Sequence, residues 1–259
     1  MKLVCLNLWG ARQGKLLFDY LKKQAETADI FCFQEVFDST SDVKVFDRAH
    51  PHLLNKLQDL LPGFKSFFHP AYQGWIDRKR VDFQVTEGQA MFIRQGIQIK
   101  RVDAVFIYGD VNTQIKEDFT NEPKNLQFAQ LKIGNKNLLI ANVHGKWYPG
   151  DKLDTRERLK QSRRILEFLK IYGCSKILCG DFNLMPETES LKMLEGDLRN
   201  LIKDYEIKST RNRISWQIYH NVQYFADYAF VSPDMKVNNF EAPYNEISDH
   251  LPLILDFNL

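Results

Sequence analysis

The chain has 259 residues, of which 44% are hydrophobic and 26% charged, a composition that excludes disorder, a collagen repeat and a coiled coil. Lys and Arg number 35 against 33 Asp and Glu, for a formal net charge of +2, which excludes a protein that coats nucleic acid through overall charge. A chain of this length can bury a core without disulfide or metal staples, and no Pro-, Gly- or Ser-rich linker divides it, so residues 1–259 read as one domain.

In chain order, the first predicted element is an apolar strand, Lys2–Leu8. A helix over about Gly14–Glu26 follows, with Leu16, Leu17, Tyr20 and Leu21 on one face. A buried strand, Asp29–Phe33, then runs into Gln34-Glu35. A helix near Pro51–Leu61 and strands near Lys65–His69, Gln89–Ile93 and Leu126–Ile133 come next. The opening pattern then repeats. Strand Asn137–Val143 ends at His144, a helix over about Thr155–Tyr172 carries Leu159, Ile165, Leu166 and Leu169, and strand Lys176–Cys179 runs into Gly180-Asp181-Phe182-Asn183. Strands Tyr224–Val231, with Asp227 inside it, and Pro252–Phe257, preceded by Ser248-Asp249-His250, close the chain. Continuous apolar strands belong in sheets covered on both faces. The expected class is α/β, with two packed sheets and helices outside.

Cys5, Cys32, Cys174 and Cys179 form no CxxC pair, and Cys5, Cys32 and Cys179, inside apolar runs, read as small buried hydrophobes of a reducing compartment. The start, Met1-Lys2-Leu3-Val4-Cys5-Leu6-Asn7, is too short in its apolar part for a signal peptide. No run reaches the ~20 apolar residues of a membrane span. The expectation is a soluble cytoplasmic protein.

Polar residues gather where strands end: Asn7, Glu35, His144, Asp181, Asn183, Asp227, Asp249 and His250. Taken singly, each has an ordinary reading as a turn residue, a surface acid or a satisfied histidine. Asp227 is harder to place so, because a charge within an apolar strand needs a partner. Brought together, the carboxylates repel unless a cation sits among them. Oxygen ligands select a hard ion, Mg²⁺ or Mn²⁺. Carboxylates, amides and imidazoles around such an ion suit hydrolysis of a phosphoester by water.

Leu6-Asn7-Leu8-Trp9-Gly10, Phe33-Gln34-Glu35-Val36, Asn142-Val143-His144, Gly180-Asp181-Phe182-Asn183, Ala226-Asp227-Tyr228 and Ser248-Asp249-His250 span nearly the whole chain. In this order they resemble the motifs of the endonuclease/exonuclease/phosphatase superfamily, which has the deoxyribonuclease-like fold. The resemblance implies a four-layer α/β sandwich, two packed mixed sheets flanked by helices, and a divalent-metal phosphohydrolase. It implies Glu35 as direct metal ligand, with Asn7 and Asp249 completing the metal and water shell. Asp181 would orient or deprotonate the water, Asn183 would contact the scissile phosphate, and His250 would hold a phosphate oxygen with Asp227 behind it. His144 would lie near the leaving group, with Glu87 as its candidate backing acid. Trp9 stands where some members carry an acidic ligand, which resembles the sphingomyelinase-like branch and implies one metal site centred on Glu35.

Three basic clusters bear on the substrate: Arg78-Lys79-Arg80; Arg156, Arg158, Lys160, Arg163 and Arg164; and Arg211 with Arg213. Arg158, in the first turn of its helix, is a candidate phosphate contact. The segment Ser209–His220 interleaves arginines with Trp216, Tyr219 and His220, a mixture that suits stacked bases or a lipid headgroup. Trp75 and Trp147 could form a gripping rim. The leading expectation is a Mg²⁺-dependent phosphodiesterase acting on nucleic acid or a nucleic-acid adduct, as a monomer without a stable protein partner. The alternatives are a sphingomyelinase-like phospholipid phosphodiesterase and an inactive binding module.

Overall fold

The computed structural model describes residues 1–219 and 222–259. His220 lies outside the described residues, and of Tyr219 only the backbone is described. The strands are β1 (Lys2–Asn7), β2 (Ile30–Asp38), β3 (Phe64–Gln73), β4 (Trp75–Ile76), β5 (Lys79–Arg80), β6 (Thr86–Arg94) and β7 (Gln98–Tyr108), then β8 (Lys124–Ile133), β9 (Lys136–His144), β10 (Ser175–Asp181), β11 (Arg199–Asn200), β12 (Asp227–Val231), β13 (Lys236–Glu241) and β14 (Leu253–Asn258). The helices are α1 (Lys15–Gln24), α2 (Leu53–Leu60), α3 (Arg156–Lys170), α4 (Glu189–Glu195), α5 (Leu201–Asp204) and α6 (Arg213–Tyr219).

Two six-stranded sheets carry the fold, in the orders β13-β14-β1-β2-β6-β3 and β11-β12-β10-β9-β8-β7. The expected repeat is present: β1–α1–β2 and β9–α3–β10 each place two parallel strands around a helix, one unit in each sheet. Short strands β4 and β5 form a separate hairpin. The larger core includes the space between the sheets, where Leu3, Cys5, Ile30, Cys32 and Met91 of one face Ala129, Ile140, Ile177 and Cys179 of the other. Leu17 and Leu21 of α1 and Leu53 and Leu57 of α2 cover the outer face of the first sheet. Ile165, Phe168 and Leu169 turn α3 into the core of the second.

Strands β7 and β13, absent from the sequence reading, are edge strands. The last predicted strands begin later than expected, so Asp227 opens β12 and is not interior to it. Residues ahead of it are held otherwise, since Thr210 Oγ accepts the backbone N–H groups of Ala226 (3.0 Å) and Asp227 (3.1 Å). All four cysteines are free, and Cys5, Cys32 and Cys179 are buried. Among the described residues no helix is long and apolar enough to cross a membrane.

Candidate active site

Register brings the polar strand ends together. On neighbouring strands, Asp181 is the Cα partner of both His144 and Asp227. In the other sheet Asn7 ends β1 beside Gln34 of β2. A register shift between Phe33 and Val36 interrupts β2, and Glu35 there has φ of 53°. Such a bulge re-aims a side chain off the strand, and Glu35 points into the cavity between the strand ends. Gly180 lets β10 approach β9, for its φ is +144° and a Cβ would lie 1.9 Å from the Val143 carbonyl oxygen.

Asn7 links the two sheets. Its Nδ2 donates to Glu35 Oε1 at 2.9 Å and to Asp181 Oδ2 at 3.0 Å, while its Oδ1 accepts from the Trp9 backbone at 2.9 Å. Asn7 thus stands between the two carboxylates and offers both its amide nitrogen. Nε2 of His144 lies 3.9 Å from both Glu35 Oε1 and Asp181 Oδ2. Ligand atoms of Glu35, His144 and Asp181 lie within 4.8 Å of one another. Asp249 is engaged elsewhere: Oδ2 accepts from Arg211 Nη2 at 2.9 Å and Oδ1 from Ser248 Oγ at 3.3 Å. His144 and Asp249 both line the cavity with Glu35.

The donor set fits a hard divalent cation. Burial pushes the Glu35 carboxyl up, and Asp249 adds to this by repulsion, the signature of an acid group lacking a countercharge. Asp181 goes the other way. Burial alone would raise it, but His250, His144, Lys152 and Arg211 outweigh that and hold it at about 2. Burial, followed by the Lys124 ammonium, lowers His144 to about 3, so its ring is neutral at ordinary pH and presents a lone pair.

His250 and Asp227 form a second unit. Nδ1 of His250 lies 2.8 and 2.9 Å from the two carboxylate oxygens of Asp227. Nη1 of Arg211 lies 2.5 Å from Nε2 of His250, so that nitrogen accepts and the ring proton sits on Nδ1. Burial and Arg211 lower the His250 ring's value, yet Asp227, Asp249 and Asp181 outweigh them and raise it. Asn183 lies beside this unit, its backbone N–H on Asp181 Oδ1 at 2.9 Å and its Nδ2 on the Gly145 carbonyl at 3.3 Å.

Glu35, His144, Asp181, Asn183, Asp249 and His250 line one cavity of about 310 Å³, together with Trp9, Phe37, Tyr72, Trp147, Lys152 and Arg211. Glu87 lines it too, but on the Tyr72 side. Burial first, and then Glu35, raise its carboxyl to about 8, and among the described residues it makes no ion pair with His144, so it is not placed as that ring's backing acid. Arg158 is corrected as well. It is 0% exposed and lies beneath the site. Its guanidinium donates to the carbonyls of Trp147 (2.8 Å) and Leu153 (2.5 Å) and to that of Pro149, and it pairs with Asp151 at 3.3 Å. It holds the 146–153 loop and touches no cavity space. Trp75 packs inward against Phe119, with centroids 5.3 Å apart, whereas Trp147 reaches the cavity under Arg78, 4.4 Å above its ring. Lys152, Arg12, Tyr72 and Lys124 line the cavity without a site role in the sequence reading, whereas Arg211, placed there in a basic cluster bearing on the substrate, is buried in its wall.

A model of the endonuclease/exonuclease/phosphatase family matches residues 4–250. The chain belongs to that family. Family membership makes it a phosphoesterase by kinship, and the two-sheet fold is the family's. Among solved structures, the chain is similar to the mannosyl-6-phosphatase of Bacteroides thetaiotaomicron at 19% identity, TM-score 0.70, covering 100% of both chains. It is similar to the human Nocturnin catalytic domain with bound sulfate at 21% identity, TM-score 0.68, covering 100% of this chain and 93% of that one. It is similar to humanised D. rerio TDP2 at 14% identity, TM-score 0.70, covering 100% of this chain and 99% of the other. At these identities the likeness speaks for the fold alone. No curated protein sequence matches.

Proposed function

We propose that the family member described here hydrolyses phosphoesters with Mg²⁺ or Mn²⁺ held by Glu35, Asp181 and His144. The observation that carries this reading is the meeting of buried Asp181 and half-buried Glu35 with a neutral imidazole, all within 4.8 Å. When bound, the cation polarises the phosphoryl oxygen and neutralises its charge. The remaining work falls to side chains. Asn7 fixes both carboxylates through its Nδ2. Asp181, ionised down to about pH 2, aligns the attacking water and receives one of its protons. Asn183 and His250 face the phosphate from the other side. For His250 to donate from Nε2, Arg211 must leave that nitrogen; Asp227 then stabilises the imidazolium through Nδ1. An oxygen–phosphorus bond forms to water, the ester P–O bond breaks, and the leaving oxygen takes up a proton.

The expectation of a nucleic-acid phosphodiesterase narrows to an ester at an end of a strand or on a nucleotide. The cavity, about 310 Å³, falls at the low end of the ~300–1,000 Å³ of small-molecule pockets. Arg78 over Trp147 at 4.4 Å and Arg12 over Trp9 at 5.2 Å give it two cation–aromatic pairs, surfaces on which a base can stack. The fold itself hosts many substrates, so these features carry the choice.

The test is a ³¹P NMR assay with Mg²⁺. A 5′-phosphorylated single-stranded oligonucleotide and sphingomyelin micelles share the tube, and the Asp181→Ala protein is the blank. Loss of an oligonucleotide phosphoester signal, absent in the blank, is the expected result. Phosphocholine release instead would move the substrate to lipid. Unchanged spectra with either Mg²⁺ or Mn²⁺ would sink the hydrolase reading for these substrates.

A further inference from the structure

Lys152 is 4% exposed and lines the catalytic cavity. A buried ammonium is ordinarily paired or hydrogen-bonded. Two neighbours follow that rule: Lys124 and Lys146 each stand 3.9 Å from a carboxylate oxygen of Glu122. Among the described residues Lys152 has no ion pair and its Nζ donates no hydrogen bond. Asp181, Asp227 and Asp249 act on it only through space, and burial followed by Arg211 brings its ammonium down to about 7. The charge is therefore held where the free protein does little to satisfy it.

Its position is built. The backbone of Lys152 has φ of 60°, in the left-handed region that costs a side-chain-bearing residue free energy. Its carbonyl accepts from the Met185 N–H at 2.9 Å, and its own N–H reaches the Pro149 carbonyl at 3.5 Å. Buried Arg158 clamps the carbonyls on either side, those of Trp147 and Leu153. Such a scaffold fixes a side chain before any ligand arrives.

Chemistry names the ligand. A diester phosphate has two non-bridging oxygens and one negative charge; a monoester has three and up to two. In the proposed hydrolysis the cation and the Asn183–His250 wall take two oxygens. An additional, unpaired cation beside them has no partner on a diester. We propose that Lys152 holds the third non-bridging oxygen of a terminal phosphomonoester and makes the site select a phosphate at a chain end over an internal diester. This rests on the hydrolase reading above. Lys152 is then a specificity-determining residue: it binds the extra oxygen and charge, while bond breaking is left to the groups around Asp181.

The test uses a matched chromogenic pair, p-nitrophenyl phosphate and bis(p-nitrophenyl) phosphate, with Mg²⁺. The quantity read is the ratio of kcat/KM values, monoester over diester. Lys152→Met is expected to lower that ratio by about 10- to 100-fold, the range of one hydrogen bond to a charged group. Lys152→Gln, a polar replacement, is expected to lower it similarly and guards against misfolding of one variant. An unchanged ratio in folded variants overturns the proposal. If the wild type turns over neither ester with Mg²⁺ or Mn²⁺, the hydrolase reading fails on its own. Calorimetric titration with inorganic phosphate then decides about Lys152. Binding weakened about 10- to 100-fold in Lys152→Met sustains it as the anion ligand, and equal binding overturns it.

Discussion

Asp227 receives the Nδ1 side of His250 on both carboxylate oxygens, at 2.8 and 2.9 Å, while Arg211 approaches the opposite ring nitrogen. The carboxylate fixes which nitrogen carries the proton, and Arg211 occupies the nitrogen that must face substrate. Asp227→Asn keeps the shape but can present an amide N–H to Nδ1, which moves the ring proton to Nε2 and removes the charge that stabilises imidazolium. It should lower kcat by about 10²–10⁴-fold, nearly as much as His250→Ala. The double mutant should be no worse than the single ones. Losses that multiply would show that the two side chains act separately.

Arg211 is tied to structure as well as to chemistry. Its guanidinium donates to Asp249 at 2.9 Å and to Ser215 Oγ at 2.7 and 2.9 Å, and it is 4% exposed. Arg211→Ala leaves the Asp249 carboxylate buried without its partner, a change that costs about 3–5 kcal/mol when the pair is fully buried. Urea unfolding should show a lower midpoint at unchanged slope. A midpoint within experimental error of the wild type would mean that Asp249 finds another donor.

Crowded acids make metal binding and stability separable. Burial and repulsion by Asp249 raise Glu35, so Glu35→Gln relieves the free protein. Its Tm without metal should equal or exceed that of the wild type. Adding Mg²⁺ at about 100 times its dissociation constant should stabilise the wild type by ~2.7 kcal/mol and the variant by much less. Equal Mg²⁺-induced shifts in both proteins would remove Glu35 as a ligand.

Much of this site was legible because its residues end apolar strands. Asn7, His144 and Asp181 each close a continuous buried run, and register alone then sets Asp181 beside His144 and Asp227. Strands β7 and β13 were not legible. They are sheet edges, and Lys100, Arg101 and Asp103 in the one and Asn238, Asn239 and Glu241 in the other interrupt any apolar run, as edges commonly do. Glu35 depends on a bulge with no local signature. Lys152 and Arg211 come from segments without periodicity, placed by distant partners such as Met185 and Tyr224. Arg158 did carry a signal. It shares helical spacing with Gln161, Ser162, Ile165 and Leu169, all on the buried face of α3, which marks it as an inward arginine.

Arg158 should therefore matter to the loop before it matters to chemistry. Its bonds run to backbone carbonyls of residues 146, 147, 149 and 153. Arg158→Leu leaves those carbonyls without donors and frees the segment bearing Trp147 and Lys152. The expected outcome is a loss of about 2–4 kcal/mol in unfolding free energy and faster amide exchange across residues 146–153. Exchange unchanged in that segment would show that the loop holds itself.

Lys152 ties the proposed selectivity to a measurable stability cost. Its ordinary value is 10.5 and its value in the fold is about 7. Between those values the unfolded chain binds a proton that the folded one lacks, so stability rises with pH across that window. Below pH 7 the penalty is present in full; above 10.5 it is gone. Lys152→Met removes the penalty. The variant should be more stable than the wild type by up to about 5 kcal/mol below pH 7, several degrees in Tm, and the gain should shrink as pH approaches 10. Such a gain, together with a lost preference for monoesters, is what a side chain kept for function at the expense of stability gives. A Tm difference that does not vary with pH would mean that the ammonium is not the source of the cost.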